Sequence, residues 1–173
     1  WCSFGRLQFI RDRGEGFDIH VARTKGGTPE RVTTAAGDER GPSWTPDGRL
    51  VFAQRQTDAG QWDLFIVSPG AEGGWDVPVR LTDTPDREVE PRVSPDGTRL
   101  AFASDRDNDD GDVDLWMIRL PAKGAPVSMM QGSAPRRTVD TPSSGSRRSS
   151  GPVRIVQGRG LDGYPSWSPE GDR

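Results

Sequence analysis

Lysine is almost missing from this 173-residue chain: of 23 basic residues only Lys25 and Lys123 are lysines, and the rest are arginine. That imbalance reads as coding bias ahead of chemistry. The formal net charge is −3, so no global basic field draws the chain to nucleic acid or an anionic membrane. Cys2 is the single cysteine and His20 the single histidine, which excludes an internal disulfide and the usual zinc ligand sets. No stretch approaches the roughly 18 apolar residues of a membrane span. No GxSxG nucleophile elbow occurs, and no motif places a Ser or Cys beside His20.

What is abundant is turn chemistry. The chain holds 22 Gly and 15 Pro while only 31% of its residues are hydrophobic. That balance points away from a helical bundle and toward many short strands joined by tight turns. Six Trp are the large anchors available to such a fold.

Internal repetition decides the architecture. Pro42-Ser43-Trp44-Thr45-Pro46-Asp47-Gly48-Arg49-Leu50-Val51-Phe52 returns as Pro91-Arg92-Val93-Ser94-Pro95-Asp96-Gly97-Thr98-Arg99-Leu100-Ala101-Phe102, and begins again at Pro165-Ser166-Trp167-Ser168-Pro169-Glu170-Gly171. A worn copy opens the chain, with Trp1 and then Gly5-Arg6-Leu7-Gln8-Phe9. A second landmark follows at Asp18-Ile19-His20-Val21, Asp63-Leu64-Phe65-Ile66 and Asp114-Leu115-Trp116-Met117. A third is Arg31-Val32-Thr33, Arg80-Leu81-Thr82 and Arg154-Ile155-Val156. From the end of each third landmark to Trp44, Val93 or Trp167 the step is always 11 residues, whereas the step from Phe9, Phe52 or Phe102 to the next Asp varies from 9 to 12. Fixed and variable steps in alternation are the mark of strands joined by tolerant hairpins.

In Ser/Thr-Pro-Asp-Gly, Pro presets φ, Asp suits the next turn position, and Gly takes the positive φ that leads into a strand. Period-two alternation then puts Leu7/Phe9, Leu50/Phe52 and Leu100/Phe102 on one face, and the mostly smaller Gln8/Ile10, Val51/Ala53 and Ala101/Ala103 on the other. A sheet apolar on both faces, bulky on one and small on the other, should stack between two neighbours of its own kind. The expected fold is therefore all-β, an incomplete β-propeller of about three four-stranded antiparallel blades and the start of a fourth. The blade units fall near 1–33, 34–82, 83–156 and 157–173. The chain shows no initiator Met or signal-peptide pattern at its start, and its last repeat stops at Arg173. The expectation is a chain cut at both ends, whose ring is completed by further blades of the same parent.

These residues resemble the PD40 (WD40-like) repeat of the TolB-like propeller family, also found in tricorn-type proteases and in prolyl-oligopeptidase-like serine peptidases. The likeness covers nearly the whole chain except Ala122 to Pro152, and the first copy departs from it at Cys2-Ser3-Phe4-Gly5. It implies a ring of six or more blades and a non-catalytic scaffold that binds protein or peptide partners, in a periplasmic or otherwise extracytoplasmic setting. The alternative is the gating propeller of a serine peptidase whose catalytic domain lies outside this chain. A carbohydrate-active propeller needs His and carboxylate clusters that the segment lacks.

The repeat positions Trp44, Pro46, Asp47, Gly48, Asp63, Pro95, Asp96, Gly97, Asp114 and Trp167 are expected to be structural. Asp18, Asp63 and Asp114 head the same strand in every copy, where a carboxylate would accept backbone N–H bonds at the hairpin; a catalytic residue is needed once, not once per blade. The run Asp105 to Asp114 places carboxylates at alternate positions, with Asp105, Asp107, Asp109 and Asp112 as a conceivable calcium loop. Its order departs from an EF-hand, with Asp110 before Gly111 and no Glu six residues on, and it reads as a solvated hairpin tip. No other cofactor is expected. Gly158-Arg159-Gly160-Leu161-Asp162-Gly163 matches GxGxxG but leads into a strand entry rather than a helix, so it is inter-blade step and not a dinucleotide site. Residues 122–152, rich in Ser, Pro and Arg, read as a disordered loop inserted in the third blade.

Overall fold

The computed structural model describes residues 5–14, 16–55, 60–108, 111–125, 130–131, 151–156 and 162–171. No α-helix occurs among them. The first sheet runs in the order β1 (Arg6–Asp12), β2 (Phe17–Arg23), β3 (Glu30–Arg31). The second runs β4 (Asp38–Trp44), β5 (Leu50–Arg55), β6 (Asp63–Val67), β7 (Val79–Arg80). In the third, β9 (Glu88–Val93), β10 (Arg99–Ser104), β11 (Asp114–Arg119) and β13 (Val153–Val156) repeat that meander. Every neighbouring pair in these three sheets is antiparallel. They are three consecutive blades of a β-propeller.

The blades stack as the alternation of large and small side chains requires. Leu50 and Phe52 pair across the ladder with Val67 and Phe65, and this bulky face packs on Ile19, Val21 and Val32 of the first blade, with Trp44 and Trp75 at its margin. On the opposite face, Val51, Ala53, Leu64 and Ile66 meet Leu100, Phe102, Trp116 and Ile118 of the third blade. Large face on small face therefore recurs at both junctions. Four consecutive β5 residues, Leu50 to Ala53, have no exposed surface; a side chain such as Phe52 contributes about 1.5–3 kcal/mol through burial of this kind.

Two features differ from the simplest expectation. The Arg-Leu-Thr landmark breaks as a strand before its threonine in the first two copies: β3 ends at Arg31, and β7 ends at Arg80 with Thr82 opening a separate short strand, whereas in the third copy β13 runs on through Val156. The threonine instead turns its hydroxyl inward and takes the place of a ladder carbonyl, accepting Ile19 N–H at 3.0 Å in the first copy and Leu64 N–H at 2.9 Å in the second. Within 122–152, Met130–Gln131 forms a short strand, β12, paired in parallel with β8 (Thr82–Asp83). Most of that inserted segment, 126–129 and 132–150, lies outside the described residues.

The inner strands β4 and β9, and the stretch 162–167 that follows the third blade, each carry one residue in the left-handed region just before a proline: Gly41 (φ 58°), Glu90 (φ 54°) and Tyr164 (φ 54°). In β4 and β9 this is where the ladder shifts register. A bulge there bends the strand between its two halves.

Candidate functional site

The two ends of the blades differ in chemistry. One end carries the Pro-Asp/Glu-Gly turns. Gly48, Gly97 and Gly171 all have positive φ and donate their N–H to the carbonyls of Thr45, Ser94 and Ser168. The hydroxyls of Thr45 and Ser94 each donate to the turn aspartate, Asp47 or Asp96, at 2.5 Å and accept the N–H of Arg49 or Arg99. Those bonds act on the acids. Hydrogen bonds from Ser94 and then Thr98 bring Asp96 down to about 2. Burial opposes ionisation at Asp47, but the bonds from Arg49 and Thr45 outweigh it and hold that carboxyl below its ordinary range.

Successive turns also touch. A Cβ on Gly97 would lie 2.8 Å from Cδ of Pro46, and one on Gly171 3.2 Å from Cδ of Pro95. Trp167 donates its indole N–H to the Arg92 carbonyl at 2.8 Å, while Trp44 packs beside Trp75 with centroids 6.0 Å apart. The repeat residues at this end build blade-to-blade contact.

The opposite, hairpin end carries the recurrent acids. Asp18 pairs with Arg31 at 3.0 Å, Asp63 with Arg80 at 2.6 Å and Asp114 with Arg154 at 3.4 Å. The arginine is the first residue of the third landmark in each copy, so the two landmarks are bound to each other across the blade. Burial pushes the Asp63 carboxyl above its usual value, against the pull of Arg80.

Below these pairs lies a buried network that joins blade to blade. The Thr33 hydroxyl donates to Glu39 at 2.9 Å, and Gln54 donates to the other carboxylate oxygen at 3.1 Å. One blade on, Thr82 donates to Glu88 at 3.1 Å, Thr84 adds a short bond, and Arg106 donates at 3.0 Å. Glu39 and Glu88 have no exposed surface. Burial raises both carboxyls to about 7, opposed at Glu39 chiefly by Thr33 and at Glu88 by Thr84 and Arg106. Reading the repeat by its landmarks missed these glutamates. The signal was present: each lies six residues after its threonine, and the third copy sets Asp162 six after Val156.

The remaining candidates are dispersed. The calcium-like residues do not converge on one point: Asp105 accepts Arg87 N–H at 2.7 Å, Asp107 lies 3.9 Å from Arg154, and the Asp112 carbonyl accepts from Asn108. Asp109 lies outside the described residues. Among the described residues no group of three or more His, Cys, Asp or Glu is placed to hold a metal. Of the GxGxxG match, only Asp162 and Gly163 are described, and Asp162 N–H donates to the Val113 carbonyl at 2.8 Å. His20 pairs across the ladder with Phe9, as Phe65 does with Phe52 and Trp116 with Phe102. Its ring stacks on Phe9 at 5.6 Å, and burial, reinforced by Arg11, lowers its pKa. Among the described residues no helix is long and apolar enough to cross a membrane.

No family model matches the chain. A curated relative, an uncharacterized protein of Agrobacterium fabrum, is 25% identical over 178 aligned residues, which cover 99% of this chain and 51% of that protein. The chain thus spans about half the length of the curated relative it matches. Among solved structures, TolB from Acinetobacter baumannii aligns with a TM-score of 0.63 at 15% identity, over 96% of this chain and 33% of that one. A TolB-like protein from Agrobacterium tumefaciens aligns with a TM-score of 0.56 at 24% identity, over 67% of this chain and 42% of that one. The fold is that of a TolB-like β-propeller, represented here by an arc of its blades.

Proposed function

We propose that the chain is part of a non-catalytic propeller scaffold that binds a protein or peptide partner in the cell envelope through its hairpin end. One observation carries this reading. The residues that recur as candidates for chemistry are engaged blade by blade in the same structural pairs, Asp18 with Arg31, Asp63 with Arg80 and Asp114 with Arg154. The hairpin loops beyond those pairs differ from blade to blade in length and charge, and variable loops on a rigid repeat are where recognition resides. The TolB-like fold agrees with a scaffold role by analogy of fold alone.

The test is site-specific photo-crosslinking in the native cells, with the parent protein carrying the probe at Gln61 on the hairpin end or at Lys25 on the turn between β2 and β3. Both positions are exposed. Adducts to a discrete envelope protein from Gln61 but not from Lys25 are expected. Equal labelling from both ends, or peptide hydrolysis by the purified parent that maps to this propeller, would refute the proposal.

A further inference from the structure

Arg40 breaks the repeat. Its counterparts in the next two copies are Val89 and Gly163, and Val89 packs against the apolar core between the second and third blades. Arg40 is exposed, yet its position is fixed by two rings. Its guanidinium carbon lies 5.7 Å from the centroid of Phe17 and 5.1 Å from that of Trp62. Phe17 opens β2 of the first blade and Trp62 stands just before β6 of the second, so Arg40 sits at their junction on the hairpin end.

The frame around it is held from below. Asp38 accepts the Phe17 N–H at 3.1 Å and pairs with Arg55 at 2.9 Å, and the Arg55 guanidinium carbon also lies 5.2 Å from the centroid of the Trp62 ring. Gly16 lets the first hairpin close onto this corner, because a Cβ there would fall 2.4 Å from the Gly37 carbonyl oxygen. Asp38 thus neutralises Arg55. Arg40 makes no hydrogen bond or ion pair with any described residue. Its planar fork of donors is oriented by stacking and has no hydrogen-bond acceptor among the described residues.

A guanidinium fixed in this way loses little freedom on binding, which favours a planar anion taken in two parallel bonds. Burial opposes ionisation of Asp38, but Arg55, the Phe17 N–H and the nearby Arg40 charge together hold its carboxyl below the ordinary range; among the described residues the corner thus sets two guanidiniums against one shared acid, and it suits a monoanionic carboxylate better than a dianionic phosphate. The flanking faces of Phe17 and Trp62 provide apolar surface for a residue next to that carboxylate.

We propose that Arg40, held between Phe17 and Trp62 at the junction of the first two blades, receives a carboxylate of an acidic peptide segment carrying an apolar neighbour. This rests on the reading of the hairpin end as a partner-binding surface, and names the chemistry it recognises.

The experiment titrates the full chain with three ten-residue peptides of one sequence: a central Leu-Glu-Leu with an amidated C-terminus, the Leu-Gln-Leu form amidated, and the Leu-Gln-Leu form with a free C-terminus. Binding is read by calorimetry and by Trp fluorescence. The Glu peptide should bind at least about tenfold more tightly than the amidated Gln peptide, as expected for one charge-assisted bond pair. Binding of the free-terminus Gln peptide in its place would assign the site to a C-terminal carboxylate. Arg40→Gln should abolish the preference, Arg40→Lys should restore it only in part, and Arg23→Gln on the opposite end should leave it unchanged. Equal binding of all three peptides, no binding of any, or a preference that survives Arg40→Gln overturns the assignment. If crosslinking from Gln61 persists in the Arg40→Gln protein at wild-type yield, the hairpin-end reading stands and this site falls; loss of crosslinks already in the wild type fails the broader reading instead.

Discussion

Replacing Glu39 by Gln should make the protein more stable at pH 8 and leave it nearly unchanged at pH 5. Glu39 has no exposed surface, and its oxygens meet only neutral partners, Thr33 and Gln54. Burial raises its carboxyl from 4.5 to about 7; Asp18 and Asp38 add to the rise and Arg31 opposes it. The native state therefore holds a proton between those two values that the unfolded chain has released. Stability contributed by the neutral acid is fully present below about 4.5 and is lost as pH rises through 7. A shift of that size corresponds to about 3 kcal/mol between the two limits, at about 1.4 kcal/mol per unit. Glutamine is neutral throughout, so the variant escapes this loss, less about 1 kcal/mol if its amide meets Thr33 and Gln54 in poorer geometry. Urea unfolding followed by Trp fluorescence at pH 5, 6, 7 and 8 reads the difference directly. Glu88 titrates in the same window in both proteins and cancels when the two curves are subtracted. A difference that is flat with pH, or a variant less stable at pH 8, would refute the reasoning and show that ionised Glu39 is a favourable partner in the network.

Two further outcomes follow from the turns and from the acidic hairpin. Gly97→Ala should cost more stability than Gly48→Ala: both substitutions place a side chain in the left-handed region, worth about 1–2 kcal/mol, but at Gly97 the new methyl also meets Pro46 Cδ at 2.8 Å while at Gly48 it meets nothing within 4 Å. Equal losses in thermal melting would mean the turn-to-turn contact carries no weight. Calcium should leave the melting temperature unchanged, since Asp105 and Asp107 face Arg87 and Arg154 instead of a common centre; a rise abolished by Asp107→Ala with Asp109→Ala would contradict this.

The parts of the fold that local chemistry dictates were legible in the amino-acid order. The Pro-Asp-Gly turns and the period-two alternation of Leu50, Val51, Phe52 and Ala53 fix which face is bulky, and the stacking of blades follows from that. The pairing of Asp63 with Arg80 was half legible. Both residues stood out as landmarks, but only the ladder of β6 with β7, which sets Phe65 opposite Arg80, brings that arginine to Asp63. Glu39 and Glu88 were harder because a buried, ionisable side chain is the rarest choice for a core position, so an acid inside an inter-blade step reads as loop. The left-handed Gly41, Glu90 and Tyr164 were illegible for a related reason. A residue before proline is biased toward extended backbone, and the departures at Gly41 and Glu90 coincide with register shifts that exist only once β4 and β9 pair with their neighbours. The pairing of Met130–Gln131 with Thr82–Asp83 has no local signature at all.

Repetition separates framework from function in this molecule more sharply than any single motif does. A residue that returns in each blade, such as Asp18, Asp63 and Asp114, meets the same arginine each time, so its recurrence is explained by the contact. A residue that departs from the repeat while its surroundings keep the register has no such explanation. Arg40 is one such case: Glu39 before it returns as Glu88, and Gly41 after it keeps the left-handed conformation that Glu90 also adopts, but Arg40 stands where Val89 packs against the core. An exposed arginine in place of a packing valine gives up apolar contact between blades, and the loss is offset only in part by stacking on Phe17 and Trp62. The same logic applies to Glu90 and Tyr164, which hold a strained backbone position that Gly41 occupies without strain. Among these departures Arg40, exposed and oriented by two rings, is the one on which the proposed carboxylate site rests.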